Sequence, residues 1–253
     1  MGAPNWSLHG FSEAAVARDG LNGIAALADQ LLPRNNGDNM VFNAPAHIVH
    51  AQLITASLAN TDQWRFRKTT ERLYQHLTER VGIRCQTDDV LRENILDLGY
   101  PVLANDVITL DADNTNNAQV DTAGLWVNYA GNAPVLGWSA PRGLDIRYLD
   151  VTGGTTVTAS AWSQCALTWP ALETTNTYQI VGIAPSSATG ELVRLTFAGG
   201  GNRPGAVAAD IGDKKGMQWG DFGTFVGGNE PNAEYLCSAA DTAQALTVAV
   251  VQV

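Results

Sequence analysis

The cysteines are the first side chains whose chemistry could define a site. Cys85, Cys165 and Cys237 are widely spaced and lie in apolar surroundings. Zinc binding would need another Cys or a His at ligand spacing beside at least one of them, and none has such a neighbour. An odd and scattered set also argues against a disulfide framework. We therefore predict buried, free thiols and folding in a reducing compartment.

Other patterns that begin like catalytic or ligand-binding motifs are incomplete. In Gly137-Trp138-Ser139-Ala140-Pro141 a proline replaces the second glycine of a nucleophile elbow. The glycines of 199–205 lack the Gly-Lys-Ser/Thr of a phosphate loop, and the acidic turn 111–116 lacks the Gly and Glu of a calcium loop. We predict no catalytic residue, no cofactor, no metal and no enzymatic activity. Carboxylates that folding brings together, as in glycosidases, stay open as an alternative.

The composition favours strands and argues against nucleic-acid binding. Of 253 residues, 45% are hydrophobic and 25 are glycines, with many Asn, Thr and Asp, which is typical of turn-rich β proteins. The net charge of −10 disfavours phosphate neutralisation, so no direct contact with nucleic acid is expected. No basic segment precedes an apolar run at the start, and no window reaches the ~18 apolar residues of a membrane span. A soluble chain without a classical export signal is expected.

Two segments are predicted to be helices between strand-rich regions. Residues 11–33 begin at Ser12, a candidate N-cap, and end at Pro33; they would form an N-terminal helical arm, 1–36, packed on its own sheet or ordered by a second copy or a membrane face. Residues 61–81 show an apolar stripe at helical spacing and would be inserted in a first β unit, 37–132. A Pro- and Gly-bearing connector, 133–144, would lead to a second β unit, 145–253.

The predicted helix 61–81 concentrates positive charge on an otherwise acidic protein. It carries Arg65, Arg67, Lys68 and Arg72 beside several acidic residues. These cations either form a solvated, balanced face or dock against an acidic neighbouring subunit. On the second interpretation they are subunit-contact candidates, and changing all four to Glu should leave the subunit folded but unassembled.

The second half shows plainer strands. Thr155–Trp162, Thr177–Ile183 and Glu191–Phe197 alternate in polarity, and in the last of these Arg194 is expected to face away from the apolar side. The run from Leu246 to Val253 is apolar on both alternating faces, which predicts a strand covered on both sides. Segments 107–129 and 235–253 share a strand, a polar turn and a closing strand, so they are either related β units or two ordinary hairpins.

A glycine-heavy stretch from Gly199 to Gly228 is predicted to be a long functional or contact-making loop. It adds Arg203, Trp219, Phe222 and Phe225 to the subunit-contact candidates, and Trp138 joins them from the connector. Tryptophans on loops can also stack on sugar rings. Trp138 and Trp219 are therefore the residues to test for the alternative function, a lectin-like carbohydrate-binding module.

The second half also resembles a known family. Thr177–Ile183, Leu192–Phe197, the Arg203-Pro204-Gly205 loop and the Leu246–Val253 strand resemble jelly-roll major capsid proteins of tailless icosahedral viruses. The resemblance implies a mainly β fold, a double jelly roll with the two helices noted above; a single roll with a helical N-terminal half is the rival architecture.

The function that this resemblance implies is structural. Such a protein self-assembles through trimers into an icosahedral shell, with other virion proteins as partners, membrane contact through the N-terminal helix, assembly in the host cytoplasm and final location in the virion. Its negative charge implies that another component separates the genome from the shell.

Overall fold

In the computed structural model, all helices or strands assigned within the described residues are β-strands. The described residues are 3–17, 20, 22–27, 34–55, 63–69, 75–81, 91–93, 100–114, 118–130, 139–199, 201–208 and 217–253. Within them, His9–Tyr129 form one compact unit, and residues 3–8 together with those from 130 onward form another. They are called the N unit and the C unit below.

In the described residues, the first eleven strands lie between residues 6 and 128. They are β1 (Trp6–Ala17), β2 (Asn22–Ile24), β3 (Arg34–Asn36), β4 (Asn39–Val41), β5 (Ala46–Thr55), β6 (Gln63–Lys68), β7 (Gln75–Val81), β8 (Leu91–Glu93), β9 (Tyr100–Val102), β10 (Val107–Asp113) and β11 (Ala118–Asn128).

The other ten strands of the described residues belong to the C unit. They are β12 (Arg147–Gly153), β13 (Ser163–Cys165), β14 (Leu167–Thr168), β15 (Thr177–Ser186), β16 (Gly190–Thr196), β17 (Gly205–Val207), β18 (Gln218–Trp219), β19 (Thr224–Val226), β20 (Asn232–Cys237) and β21 (Gln244–Gln252).

The N unit is a sandwich of two sheets. One has the strand order β1-β11-β5-β8, with β9 also on β5; the other has the order β3-β4-β10-β6-β7, with β2 also on β10. A single apolar cluster takes side chains from both, including Phe11 and Leu125 from the first sheet and Trp64, Phe66 and Leu110 from the second. Burial of these large side chains at about 25 cal/mol per Å² holds the two sheets together.

The C unit also contains two sheets that face each other. One has the order β14-β12-β21-β15-β18, with β19 also on β15, and the other has the order β13-β20-β16-β17. The Tyr235 hydroxyl of β20 donates to the Ala245 carbonyl of β21 at 2.9 Å. A side chain at Gly153 of β12 would collide with Sγ of Cys165 on β13. The two sheets therefore pack at close range where these strands meet.

The two units share one strand order. When neighbouring short strands are counted together, each unit has eight strand positions in chain order. In the N unit, β2–β4 together form the second position and β8–β9 the sixth. In the C unit, β18–β19 together form the sixth. One sheet then holds positions 1-8-3-6 and the other holds positions 2-7-4-5 in both units, with β14 as an extra edge strand. The first strand of each unit thus lies beside its last.

The two similar sequence segments occupy equivalent positions in this order. β10 and β11 are the seventh and eighth positions of the N unit, and β20 and β21 are those of the C unit. Because the members of each pair lie in different sheets, neither pair is a hairpin. The closing strand β21 lies between β12 and β15 and is buried on both faces, as predicted: Leu246 and Val248 point to one side, and Ala249 and Val251 to the other.

Both predicted helices are wrong where the structure describes them. The segment 11–33 contains the end of β1 and all of β2, and Ser12 is a buried strand residue whose hydroxyl lies 2.9 Å from that of Thr122 rather than a helix cap. The segment 61–81 contains β6 and β7. In β6, buried Trp64 and Phe66 alternate with less buried Arg65 and Arg67, which is the period of two of a strand. Every second position of such an alternation is also an i, i+4 pair, so the same residues fit a helical stripe. Membrane contact through an N-terminal helix therefore loses its basis.

Two further predictions, one of a strand and one of a loop, differ from the structure. Residues 155–162, predicted as a strand, make only isolated bridges at Val157 and Ala159. The stretch 199–228, predicted as a long loop, contains β17, β18 and β19. These strands have two or three residues each, so they are too short to show a polarity period. The predicted connector 133–144 is described only from residue 139, and the division between the units falls at Tyr129 and Ala130.

Truncating β21 should destabilise the protein strongly. Leu246 is 1% exposed, so Leu246→Ala is expected to lower the free energy of unfolding by about 2–5 kcal/mol, through lost burial and the cavity left behind. Equilibrium urea denaturation would measure it. The matched control is Leu103→Ala, because Leu103 is 62% exposed and its truncation should cost less than about 0.5 kcal/mol. Equal effects of the two changes would contradict the assigned burial.

Candidate functional site

A buried ion network joins β16, β20 and the loop before β17 in the C unit. The Arg194 side chain is 1% exposed, and its Nε donates to Oε2 of Glu234 at 2.6 Å. Arg203 donates from Nη1 to both oxygens of the same carboxylate, at 2.9 and 2.8 Å. The Arg194 guanidinium also lies 4.1 Å from the ring centroid of Trp162. One carboxylate thus neutralises two cations, and an aromatic face supports one of them.

This network holds the first described residues of the chain in the C unit. Arg194 Nη1 donates to the Leu8 carbonyl at 3.2 Å, and the Leu8 amide donates to the Arg203 carbonyl at 2.9 Å. Ser7 accepts from the Arg203 amide at 2.8 Å, and the Asn202 amide group donates to the Pro4 carbonyl at 2.7 Å. The network therefore anchors a backbone segment, and it is not arranged around an open cleft.

The basic residues of β6 also have partners inside their own unit. Arg65 Nε donates to Asp111 Oδ2 at 3.1 Å and Arg67 Nη2 to Asp111 Oδ1 at 2.9 Å. Lys68 lies 2.8 Å from Asp106 and is almost fully buried. Replacing these cations with Glu would place carboxylates against Asp111 and Asp106, so the fourfold reversal would also destabilise the subunit and would no longer isolate assembly. Arg72 lies outside the described residues.

The aromatic contact candidates lie mostly in the interior of the C unit. Phe222 is fully buried and packs edge-on against Trp6, with ring centroids 5.6 Å apart. Phe225 is 3% exposed and stacks on Tyr178. Trp219 is 8% exposed and meets the exposed ring of Tyr148 edge-on at 6.3 Å. Trp138 lies outside the described residues. Subunit contact through this set stays a prediction.

A shallow pocket opens on the outer face of the sheet that contains β21. Its volume is about 370 Å³, within the range of small-molecule sites. Beneath it, Val181 and Trp219 form an apolar cluster with Ala249, Val251 and partly buried neighbours. The lining residues are Ser139, Pro141, Leu144, Gln179, Val181, Trp219, Gly220 and Asp221.

The polar side of this pocket is held by the turn after β18. The Phe222 amide donates to the Ile180 carbonyl and the Gly220 amide to the Val181 carbonyl, both at 3.0 Å, so the turn is bonded to β15. Gly223 has a φ of 107°, which favours glycine, and its amide donates to Oδ1 of Asp221 at 3.0 Å. Gln179 Nε2 lies 3.4 Å from the same oxygen. The Gly223 amide therefore orients the Asp221 carboxylate at the pocket.

Two of the three cysteines are buried free thiols, as predicted, and Cys85 lies outside the described residues. Burial raises the pKa of Cys165 and raises that of Cys237 from 9.0 to about 11. Burial also raises the pKa of the Tyr235 phenol, with smaller contributions from Cys165 and Cys237. High pKa values keep both thiols protonated and unreactive at neutral pH.

Two polar side chains with defined partners, Arg194 and Asp221, were not predicted from the sequence. Arg194 lies on an alternating strand and was expected to face outward, yet β16 is buried on both faces. The signal in the sequence was the run of apolar residues before and after Arg194, which is typical of a strand that is covered on both faces. Asp221 lies in Gly220-Asp221-Phe222-Gly223, a turn-type sequence, but nothing in the sequence alone connects that turn with Gln179.

Within the described part of the chain, no group of three or more His, Cys, Asp or Glu side chains is placed to hold a metal ion. Within the same part, no helix is long and apolar enough to cross a bilayer.

A search of solved structures finds distant similarity to a phage capsid protein. No protein-family model matches the chain, and no curated protein matches it significantly. Among solved structures, it is similar to the major capsid protein P2 from bacteriophage PM2, with 8% sequence identity over 98% of each chain and a TM-score of 0.27. That TM-score does not establish a common fold, so the strand order of each unit is the stronger observation.

Removing the charge of Glu234 should destabilise the C unit. Glu234→Gln leaves Arg194 buried with a weaker acceptor, so we expect the free energy of unfolding to fall by about 3 kcal/mol in urea denaturation. Glu173→Gln, at an exposed position of the same unit, is the control and should change it by less than about 0.5 kcal/mol. A Glu234→Gln protein as stable as this control would show that the network contributes nothing.

Cys165 and Cys237 should resist alkylation in the folded protein. With a pKa of about 11 for Cys237, roughly one thiol in a thousand is ionised at pH 8, and the group is also inaccessible. Iodoacetamide labelling followed by peptide mass spectrometry should show both residues unmodified until urea is added. Because the folded pKa is above 9.0, the stability contribution of Cys237 is complete below that pH and is lost as the pH rises through about 11. Labelling of both at the unfolded rate would contradict their burial.

Proposed function

We propose that each unit is a jelly roll and that the protein is a major capsid protein of a tailless icosahedral virus. The observation that carries the proposal is the strand order 1-8-3-6 facing 2-7-4-5, which occurs twice in succession. A jelly roll is a double sheet of eight antiparallel strands, and viral capsid domains are among its common occurrences. Since a fold hosts many functions, the tandem arrangement supports the function and does not define it.

The proposed mechanism is assembly. Three copies would form a trimer by burying complementary surface, and trimers would then form the shell, which needs no reacting group. Among the contact candidates in the described residues, Arg65, Arg67 and Arg203 keep 17–22% of their side chains exposed despite their ion pairs. These three cations can still attract an acidic neighbour, whereas Phe222 and Phe225 have almost no free surface to offer.

The remaining partners follow from the same proposal. The net charge of −10 would repel nucleic acid, so the genome would be separated from this shell by another virion protein or a membrane. The protein would be located in the virion after assembly in the host cytoplasm.

The mass of the purified protein in solution tests the proposal. Light scattering after size exclusion should give a trimer or a larger particle, and negative-stain microscopy should show hollow or flat regular assemblies at higher concentration. A protein that stays monomeric at about 100 μM would count against self-assembly, because a specific interface usually associates well below that concentration. Folding is monitored in the same samples by protection of Cys165 and Cys237 from alkylation.

A further inference from the structure

We propose that the pocket on the outer face of the C unit binds a neutral pyranose sugar. This inference does not depend on capsid assembly. It rests on a depression of suitable size, about 370 Å³, on its apolar base, and on fixed polar groups at its edge.

The apolar base of the pocket is built by the strands. Trp219 lies across Gly182, where a side chain would come within 2.9 Å of the indole, so the glycine leaves room for the ring against β15. The pairing of β15 with β21 shifts register between Ile180 and Gly182, at the point where Val181 reaches the pocket. Bulges of this kind re-aim side chains and are common next to binding sites. A sugar ring could place its C–H face on this base.

The edge of the pocket supplies hydrogen-bond acceptors. Asp221 Oδ1 accepts from the Gly223 amide and lies within reach of Gln179 Nε2, whereas Oδ2 has no donor among the described residues. Gln179 Oε1 likewise has no donor within that part of the chain. A carboxylate fixed at one oxygen and open at the other is suited to accept two sugar hydroxyls, and the Ser139 hydroxyl lines the same pocket.

The charge of the site selects among ligands. An exposed carboxylate on a chain of net charge −10 opposes anionic ligands such as uronic or sialic acids. A purely apolar ligand would displace water from Asp221 and Gln179 and give them no hydrogen-bond partner in return, which costs free energy. A neutral hexose pairs its hydroxyl donors with these acceptors and its C–H face with the apolar base of the pocket.

The test uses the full chain and methyl glycosides of glucose, galactose and mannose at about 10 mM, with saturation-transfer NMR for detection and titration for affinity. We expect at least one glycoside to bind. Asp221→Asn should weaken binding about tenfold, because an amide N–H₂ replaces the open acceptor while the turn bond to Gly223 can persist. Gln179→Leu should also weaken it, and Glu173→Gln, outside the pocket, should not.

Each other outcome overturns the inference. These are no binding by any of the three glycosides, unchanged binding by a folded Asp221→Asn protein, or equal binding of glucuronic acid. Binding of cyclohexanol alone, unaffected by Asp221→Asn, would likewise show an apolar contact surface rather than a sugar site. Thermal melting and protection of Cys237 from alkylation establish that each variant is folded.

Discussion

The double burial of β21 is the constraint on which the C unit depends. A strand that carries apolar side chains on both alternating faces needs cover on both, and the two faces of β21 are covered by different means. Leu246 and Val248 are buried on one face, whereas Ala249 and Val251 on the other pack with Val181 and Trp219. The second cover is small: side chains of β15, β18 and β21 in the same sheet pack together, with Ile146 and Met217 partly buried beside them. It is there that the pocket opens, so an incomplete covering layer and a candidate site are the same feature.

The buried ions follow from a similar geometric need. β16 is also enclosed on both faces, and Arg194 within it must find a counter-ion and acceptors in the interior. Glu234 from the paired strand β20 lies directly opposite in the register, and the Leu8 carbonyl completes the set. A charge that would be costly alone thus fixes the backbone of residues 4–8 beside the loop at Arg203. A buried ion pair adds little net stability by itself. The number of hydrogen-bond and ionic partners makes the attachment of this segment specific.

What could be predicted from sequence depended on strand length and on the number of covered faces. β15, β16 and β21 are long and strongly patterned, and all three were predicted. β17, β18 and β19 have two or three residues and carry no period. β6 was misassigned because Phe66 and its neighbours fit both a helical stripe and an alternation, and only cross-strand pairing with β7 and β10 decides between them. The role of Asp221 could not be predicted from the sequence, because its partner Gln179 lies on β15 and comes close only when the strands pair.

The adjacency of the first and last strands in each unit sets the order in which the chain can fold. Gly153 pairs with Gln244 and Arg147 with Val250, so this edge of β12 must wait for a partner about a hundred residues away. The other edge of β12 pairs with the nearby β14. Such long-range pairing makes the entropy of loop closure a large part of the kinetic barrier, and it places all-β proteins among the slow folders. Until β21 arrives, β12 has an open edge able to pair with another chain. Dilution or chaperone shielding during refolding should therefore matter more for this protein than its final stability would imply.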